Sequence, residues 1–577
     1  SVLPEELPMI LTVFLSLGAW RIAHSNVLLR RPGVIEALGA ATVLCTDKTG
    51  TLTQNRMTVA RLCCGGVDHL VTGLPTPLPG DVERLLRAAK LASPTAPNDP
   101  MEQAIVALSA ERGIVADGSG PCLREYPLSP TLLAVTRAYE QGSGHVLFCK
   151  GAPEALASLC ALSADEHAAL SKQVEALAQA GLRVLAVGQA DVGAQLPDVP
   201  SAVRFSLLGL LAFLDPLRPE VPQAVADCRR AGVRVLMITG DYPATALAIA
   251  GQAGLDVTHG VLSGPEMAAL SDESLRERVA HVSVFARMVP EQKLRLVKAL
   301  KDLGAIAAMT GDGVNDAPAL KAAHIGISMG KRGTDVAREA SALVLADDNF
   351  ASIVAAMRLG RRIFDNLRKA VAYTFAIHVP IAGLSLLSPL LGWPLILLPS
   401  HIAVLEMIID PSCGLIFEGS AEEAHIMDRP PRPVGQSMVT GRVLLLSIVQ
   451  GFLVLLGCVA AYYLAAQRGY PAERLRAMVF STLVFSNLGL IVVSRSWTES
   501  ALRTLWKGGA VLWTLILGTM GLGLLVLQVP FLQRLFSLSA LPLSDALWAL
   551  SLATLSVIWF EPVKLIWRRR LREMTVT

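Results

Sequence analysis

Two hydrophobic patterns divide this chain. Short apolar runs, each closed by a polar turn, fall at 40–44, 207–214, 233–238, 282–285, 305–309 and 342–345. Runs of this length bounded by Gly, Asp and Asn read as buried strands. From 207 onward they alternate with helical stretches, the order of a doubly wound parallel sheet. The mixed pattern between 53 and 206 marks an inserted α+β unit. Much longer apolar runs lie at 7–23, 370–391, 395–417, 443–466, 475–493, 510–530 and 543–566, each near bilayer-spanning length. The expected fold is multi-domain: an α/β part with a parallel sheet, and an all-α membrane part of about seven helices.

Composition supports the membrane reading. A mean hydropathy of +0.49 with 17% charged residues is too apolar for a soluble chain of this length. Basic clusters at 358–369, 429–442, 495–507 and 568–572 alternate with the shorter loops, which puts those four on the cytosolic side. Three arginines at 468–476 are an exception on the outer side. The net charge of +3 is nearly balanced, and no nucleic-acid partner is expected. Nine cysteines without metal-type spacing read as reduced thiols. No cleavable signal peptide is visible, and the opening on Ser1 without Met suggests a fragment.

The chemistry concentrates where two apolar runs end. The first leads into Asp47 and the second into Asp312 and Asp316. In an open parallel sheet, ligands bind beyond the carboxyl ends of the strands, so both ends would present their acids to one site. Such acids repel one another unless a cation neutralises them, and hard oxygen ligands suit Mg²⁺. A carboxylate held there can act as a nucleophile and form an aspartyl-phosphate.

The motifs around these acids are specific. DKTGT stands at 47–51, KGAPE at 150–154, DPLRP at 215–219, TGD at 239–241, RMVPEQK at 287–293 and TGDGVNDAPAL at 310–320. In this order they resemble the signature of P-type ATPases of the calcium-pump-like branch, cation pumps whose phosphorylation domain belongs to the haloacid dehalogenase superfamily. The resemblance covers essentially the whole chain. It implies an ion-site helix at 1–25 with a PEELP break, a phosphorylation domain at 26–52 and 207–350, a nucleotide-binding domain at 53–206 and six membrane helices at 351–577. Relatives of this type carry three more spans and an actuator domain with a Thr-Gly-Glu segment, none of which is seen in this chain. The chain is expected to accept phosphate without rapid turnover.

Roles follow from the resemblance residue by residue. Asp47 would take the terminal phosphoryl group of ATP, with Mg²⁺ held by Asp47, the Thr49 carbonyl and Asp312. Lys293 would face the transferring oxygens, Thr239, Gly240 and Asp241 would line them, and Asn315 and Asp316 would support the shell. Glu102, Lys150 and Arg183 would surround the nucleotide base, where Tyr126 would either stack on adenine or pack. Arg218 would reach phosphate or ribose, and Arg287 would join the nucleotide site. An integral membrane protein is implied, multi-pass in the plasma membrane, with its catalytic domains in the cytoplasm.

The transported ion is marked by intramembrane acids, which are costly and functional by default. Glu5 and Glu6 lie in the proline-broken first helix. Glu406 and Asp410, four apart, share a helical face, and His378 precedes Pro380. Calcium pumps have Gly, Glu and Thr where this chain has Glu6, Ile381 and Ile409, and Glu in the eighth span where Ser486 stands beside Asn487. Too few oxygens remain for a two-ion calcium site. One divalent cation, or a proton carried by Glu406, Asp410 and His378, are the alternatives. A different class of function is a truncated, non-pumping nucleotide-binding subunit with a regulatory or scaffold role; the intact Asp47, Lys293 and Asp312 argue against it.

Overall fold

The computed structural model describes residues 6–31, 33–114, 120–129, 132–433 and 439–566. Glu5 and the basic cluster at 568–572 lie outside the described residues.

Segments far apart in sequence assemble one eight-stranded sheet. Its order is Val27–Leu29, Leu343–Leu345, Ile325–Met329, Ala307–Gly311, Val43–Asp47, Arg234–Ile238, Val284–Ala286 and Val261–Ser263. Only the first pair is antiparallel. The central strands are apolar on both faces because helices cover both: Val43 and Cys45 enter one core layer and Leu44 the other. The strand expected at 40–44 begins at Val43, because Ala40 closes the preceding helix Val34–Ala40.

The strand Ser206–Leu214 corrects the expected partition. It was expected in the parallel sheet, yet it pairs antiparallel with Thr58–Cys64 and Arg183–Val192 in a separate seven-stranded sheet. Leu211 and Phe213 fill one core layer there and Leu210 and Ala212 the other. An apolar run reports burial on both faces and is silent on strand direction. The short strands Val27–Leu29, Val261–Ser263 and Ile325–Met329 had escaped the pattern.

Two crossing segments join the sheets. Gln54 donates its amide to the Pro216 carbonyl, and Arg218 donates its own to Leu52. Asp215 fixes the crossing by accepting from the Thr53 hydroxyl at 2.5 Å and the Arg56 amide at 3.2 Å.

Among the described residues, seven helices are long and apolar enough to cross a membrane: Glu6–Ala23, Phe350–Leu390, Pro399–Phe417, Gly441–Gln467, Ala472–Ser494, Ala510–Gln528 and Leu543–Ile566. The second begins twenty residues before the expected 370, because its polar first half continues the same helix out of the apolar zone. That half docks on the eight-stranded unit, where Arg361 donates to the Ala231 carbonyl at 2.7 Å. Gly39 and Gly360 meet there backbone to backbone; a Cβ on Gly39 would stand 2.9 Å from the Gly360 carbonyl carbon. Lower on the same helix, Lys369 and Glu423, both almost wholly buried, pair at 2.6 Å.

Candidate active site

Asp47 ends its strand, and Asp312 follows the end of the neighbouring one, Ala307–Gly311. Ligand oxygens of Asp47, Asp312 and Asp316 lie within 4.8 Å of one another. The Lys293 ammonium, from the first turn of the helix Pro290–Asp302, bridges them, 2.7 Å from Asp47 and 2.9 Å from Asp316. Asp316 is oriented through its other oxygen, which accepts from the amides of Asp312 and Gly313. The Asp47 amide donates to the Thr310 hydroxyl at 3.0 Å, tying the two strand ends together.

Charge governs this cluster. Burial pushes the Asp47 carboxyl above its usual range; Lys293 opposes the rise, and Asp316 and Asp312 reinforce it. Burial alone would lower the Lys293 ammonium, but Asp47 and Asp316 hold it above its ordinary value. Three carboxylates against one ammonium leave a net negative pocket of hard oxygens, a donor set that fits Mg²⁺. Thr49 and Asn315 are exposed at its mouth.

Neighbouring strand ends complete the rim. The Asp241 amide donates to the Thr239 hydroxyl at 3.1 Å, and Gly240 is exposed with open space where a Cβ would be. The Asp241 carboxylate faces Lys48 at 2.5 Å and Arg183 at 3.7 Å. Arg287, at a positive φ of 51°, donates its amide to the Asp241 carbonyl and lays its guanidinium over the Tyr242 ring.

Lys48 lies inside the DKTGT motif, but the sequence assigned it no role of its own. Arg332 carried no signal in the sequence: it donates to the Gly50 carbonyl at 2.6 Å and to Asp348 at 3.2 Å, with its remaining nitrogen 3.9 Å from Asp312. Arg218, expected at ATP, instead donates to the Thr53 and Gly50 carbonyls. Gly50 thus accepts from two arginines.

In the seven-stranded unit, Lys150 pairs with Glu102 at 2.6 Å and donates to the Ser93 hydroxyl at 2.8 Å. Burial lowers the Lys150 ammonium, and Glu102 opposes the shift. Tyr126 is the correction. It is buried in the core layer of Leu147 and Cys149, and its hydroxyl donates to the Pro197 carbonyl. Lys150 alternates with those residues along its strand and so points to the opposite face. Tyr126 therefore packs and offers no stacking surface beside Lys150. Arg183 stands across from the strand-end motif through its contact with Asp241, apart from the Lys150–Glu102 pair.

Comparison with known proteins decides the family. The family model of haloacid dehalogenase-like hydrolases matches residues 41–324, and that of the cation transporting ATPase C-terminus matches 394–566. The cation-transporting ATPase pma1 of Synechocystis is 35% identical over 99% of this chain and 68% of its own length. The calcium-transporting ATPase of Bacillus subtilis is 34% identical over 94% and 66%. The chain belongs to the P-type cation-transporting ATPase family. A further member, the probable cation-transporting ATPase F of Mycobacterium tuberculosis, is 35% identical over 87% of this chain and 61% of its own length. The chain thus spans about three fifths to two thirds of the length of these P-type ATPases.

The membrane half of this P-type ATPase places its candidate ion residues unevenly. Glu6 is buried at 8% exposure, and its carboxylate lies 3.5 Å from His378. Asp410 is half-buried, one oxygen buried without a hydrogen-bond partner among the described residues. Glu406 is exposed, one turn before Asp410 on the same helix. Tyr373, fully buried nearby, donates its hydroxyl to Asn487.

Proposed function

We propose that this chain drives cation transport across a membrane, the plasma membrane, by forming an aspartyl-phosphate on Asp47 from ATP. The observation that carries the reading is the bridge of Lys293 between Asp47 and Asp316 at adjacent strand ends. Phosphoryl transfer needs alignment and charge stabilisation more than covalent help, and this cluster supplies both.

In the proposed reaction an Asp47 oxygen bonds to the γ-phosphorus while the bond to the bridging oxygen breaks, and ADP leaves with that electron pair. Lys293 holds Asp47 in line and faces the transferred oxygens. Thr239 and Gly240 border the same space, the exposed Gly240 allowing close approach of a phosphoryl group. Asp241, held by Lys48, keeps that turn in place. Mg²⁺, held by Asp47, Asp312 and the Thr49 carbonyl, would supply the positive charge that the developing phosphoryl oxygens need. Asn315 and Asp316 support this shell. ATP would be bound through Lys150 and Glu102 in the inserted unit, with Arg183 and Arg287 facing the phosphorylation motif. Arg218 acts through the Gly50 loop. The transported cation is a divalent metal or a proton, and Asp410, His378 and the carboxylates of Glu5, Glu6 and Glu406 are its candidate path.

Purified protein given γ-labelled ATP and Mg²⁺ should form an acid-stable, hydroxylamine-labile adduct. Asp47→Asn should abolish it. Undiminished labelling of that variant would remove Asp47 from the chemistry.

A further inference from the structure

Where the long helix Phe350–Leu390 leaves the eight-stranded unit, arginines crowd a small cavity. It holds about 150 Å³ and is lined by Arg361, Phe364, Asp365, Arg368, Arg429 and Arg432, with Gly39 at its edge. About 10–15 Å³ of such space already admits a water, so a phosphate group has room. Positions 361, 364, 365 and 368 follow the i, i+3, i+4, i+7 spacing that puts residues on one helical face. The segment 429–432 supplies the opposite wall.

Most of this wall is committed. Arg361 donates to the carbonyls of Ala231, Ile426 and Arg429 at 2.7–3.0 Å. Arg429 pairs with Asp365. Arg432 pairs with Glu36 at 2.7 Å and lies 3.9 Å over the Phe364 ring. Arg368 is the exception. Its guanidinium carbon stands 5.3 Å from the centre of the Trp497 ring, and its Nε is buried without a hydrogen-bond partner among the described residues.

Charge does not balance here. Four guanidiniums meet two carboxylates, Asp365 inside and Glu36 at the rim, while Arg361 is held by neutral carbonyls. Arg368 lies within electrostatic range of Asp365, Arg429 and Arg432. Guanidiniums confined so closely repel one another unless an anion lies between them, and their planar fork of N–H donors matches the oxygens of a phosphate. Position selects the source of that phosphate. Arg368 comes just before the apolar run that starts at Ala370, which sets it level with the headgroups of a bilayer that this helix spans.

We propose that this cavity binds the phosphate of an anionic phospholipid headgroup, with Arg368 as the donor kept for it and Arg429 and Arg432 closing the positive charge around it. The cavity borders the Gly39–Gly360 contact, so the bound lipid braces the joint between the long helix and the eight-stranded unit. The proposal does not rest on the reading of the chain as an ATP-driven pump.

The full chain, purified in detergent and stripped of lipid, is titrated with phosphatidylglycerol, with phosphatidylcholine and with inorganic phosphate. About 0.3 M NaCl confines unspecific attraction to about 6 Å. Native mass spectrometry counts the bound lipid, and the melting temperature is read in parallel. One phosphatidylglycerol per chain is expected, with a rise in melting temperature. Phosphatidylcholine, whose phosphate is neutralised by its own cation, should produce neither. Inorganic phosphate should bind at least about tenfold more weakly, because no acyl chain holds it at the membrane. Arg368→Gln should weaken phosphatidylglycerol about tenfold or more, the loss of a hydrogen bond to a charged group. Arg442 is exposed on the same side and outside the cavity; Arg442→Gln should cost no more than about fivefold, the share of one charge near a lipid surface. Arg368→Lys keeps the charge and loses the fork, so it should still weaken binding several-fold, and it replaces Arg368→Gln where that variant fails to fold. Absence of bound phosphatidylglycerol, equal retention of phosphatidylcholine, equal losses for Arg368→Gln and Arg442→Gln, or inorganic phosphate binding as tightly as the lipid would each overturn the proposal.

Discussion

The guanidinium of Arg332 occupies the place that a side chain on Gly50 would need. A Cβ built on Gly50 falls 1.6 Å from an Arg332 nitrogen, and Gly50 already holds a positive φ of 69°. Arginine and glycine are therefore one device: the missing side chain admits the cation that clamps the loop after Asp47.

Gly50→Ala should expel Arg332 and slow labelling of Asp47 by about tenfold or more, since loss of one positioned donor commonly costs at least that. Arg332→Ala should slow it too, and the two changes combined should cost clearly less than their sum. Rapid-quench labelling of the four proteins measures the coupling. Strict additivity would mean that Arg332 acts elsewhere than on this loop.

Lys150→Ala should weaken ATP binding while leaving maximal phosphorylation at saturating ATP close to that of the unaltered chain. The Lys150–Glu102 pair lies in the seven-stranded unit and makes no contact with Asp47. Nucleotide titration beside labelling separates the two. Normal affinity with lost labelling would move Lys150 into the chemistry.

Glu423→Ala should destabilise the protein by about 3–5 kcal/mol, because it strands the buried Lys369 ammonium. Lys369→Met combined with Glu423→Leu should recover much of that loss. Denaturation of the three variants in detergent tests it, and a mild single-mutant effect would show that Lys369 finds water.

His324 gives a pH dependence of known sign. Its Nδ1 accepts the Ala307 amide at 3.2 Å, and burial together with Lys301 lowers its pKa below the usual value. The unfolded chain then binds a proton more readily than the folded one. Stability should be fully present above about pH 6.5 and be lost as pH falls through the lower folded value. His324→Asn should flatten this part of the melting-temperature profile between pH 7.5 and 5.

Much of this was readable in the sequence, for physical reasons. Asp47, Asp312 and Thr239 sit at strand ends whose apolar runs announce them, and the membrane helices are set by length and hydropathy. Strand direction was not readable, because an apolar run is the same in a parallel or antiparallel sheet; hence the misplacement of 207–214. Arg332 was missed because a lone cation in a loop carries no pattern until folding gives it a partner, and Lys48, though inside DKTGT, meets its partner Asp241 only in the fold. Tyr126 was ambiguous for the complementary reason: β-strand alternation decides its face, and register is a property of the sheet.

The 41 residues of Phe350–Leu390 make a rod about 60 Å long at 1.5 Å per residue. One end abuts the eight-stranded unit, pinned where Gly39 and Gly360 touch without side chains between them. His378 lies about 40 Å along it. A bare backbone contact has no side chains to rearrange, so it resists sliding yet permits tilting. A tilt of about 5° at that pivot would sweep the imidazole by 2 Å or more, given the roughly 27 Å between Gly360 and His378. That is enough to open or close a gap of the size that separates His378 from Glu6.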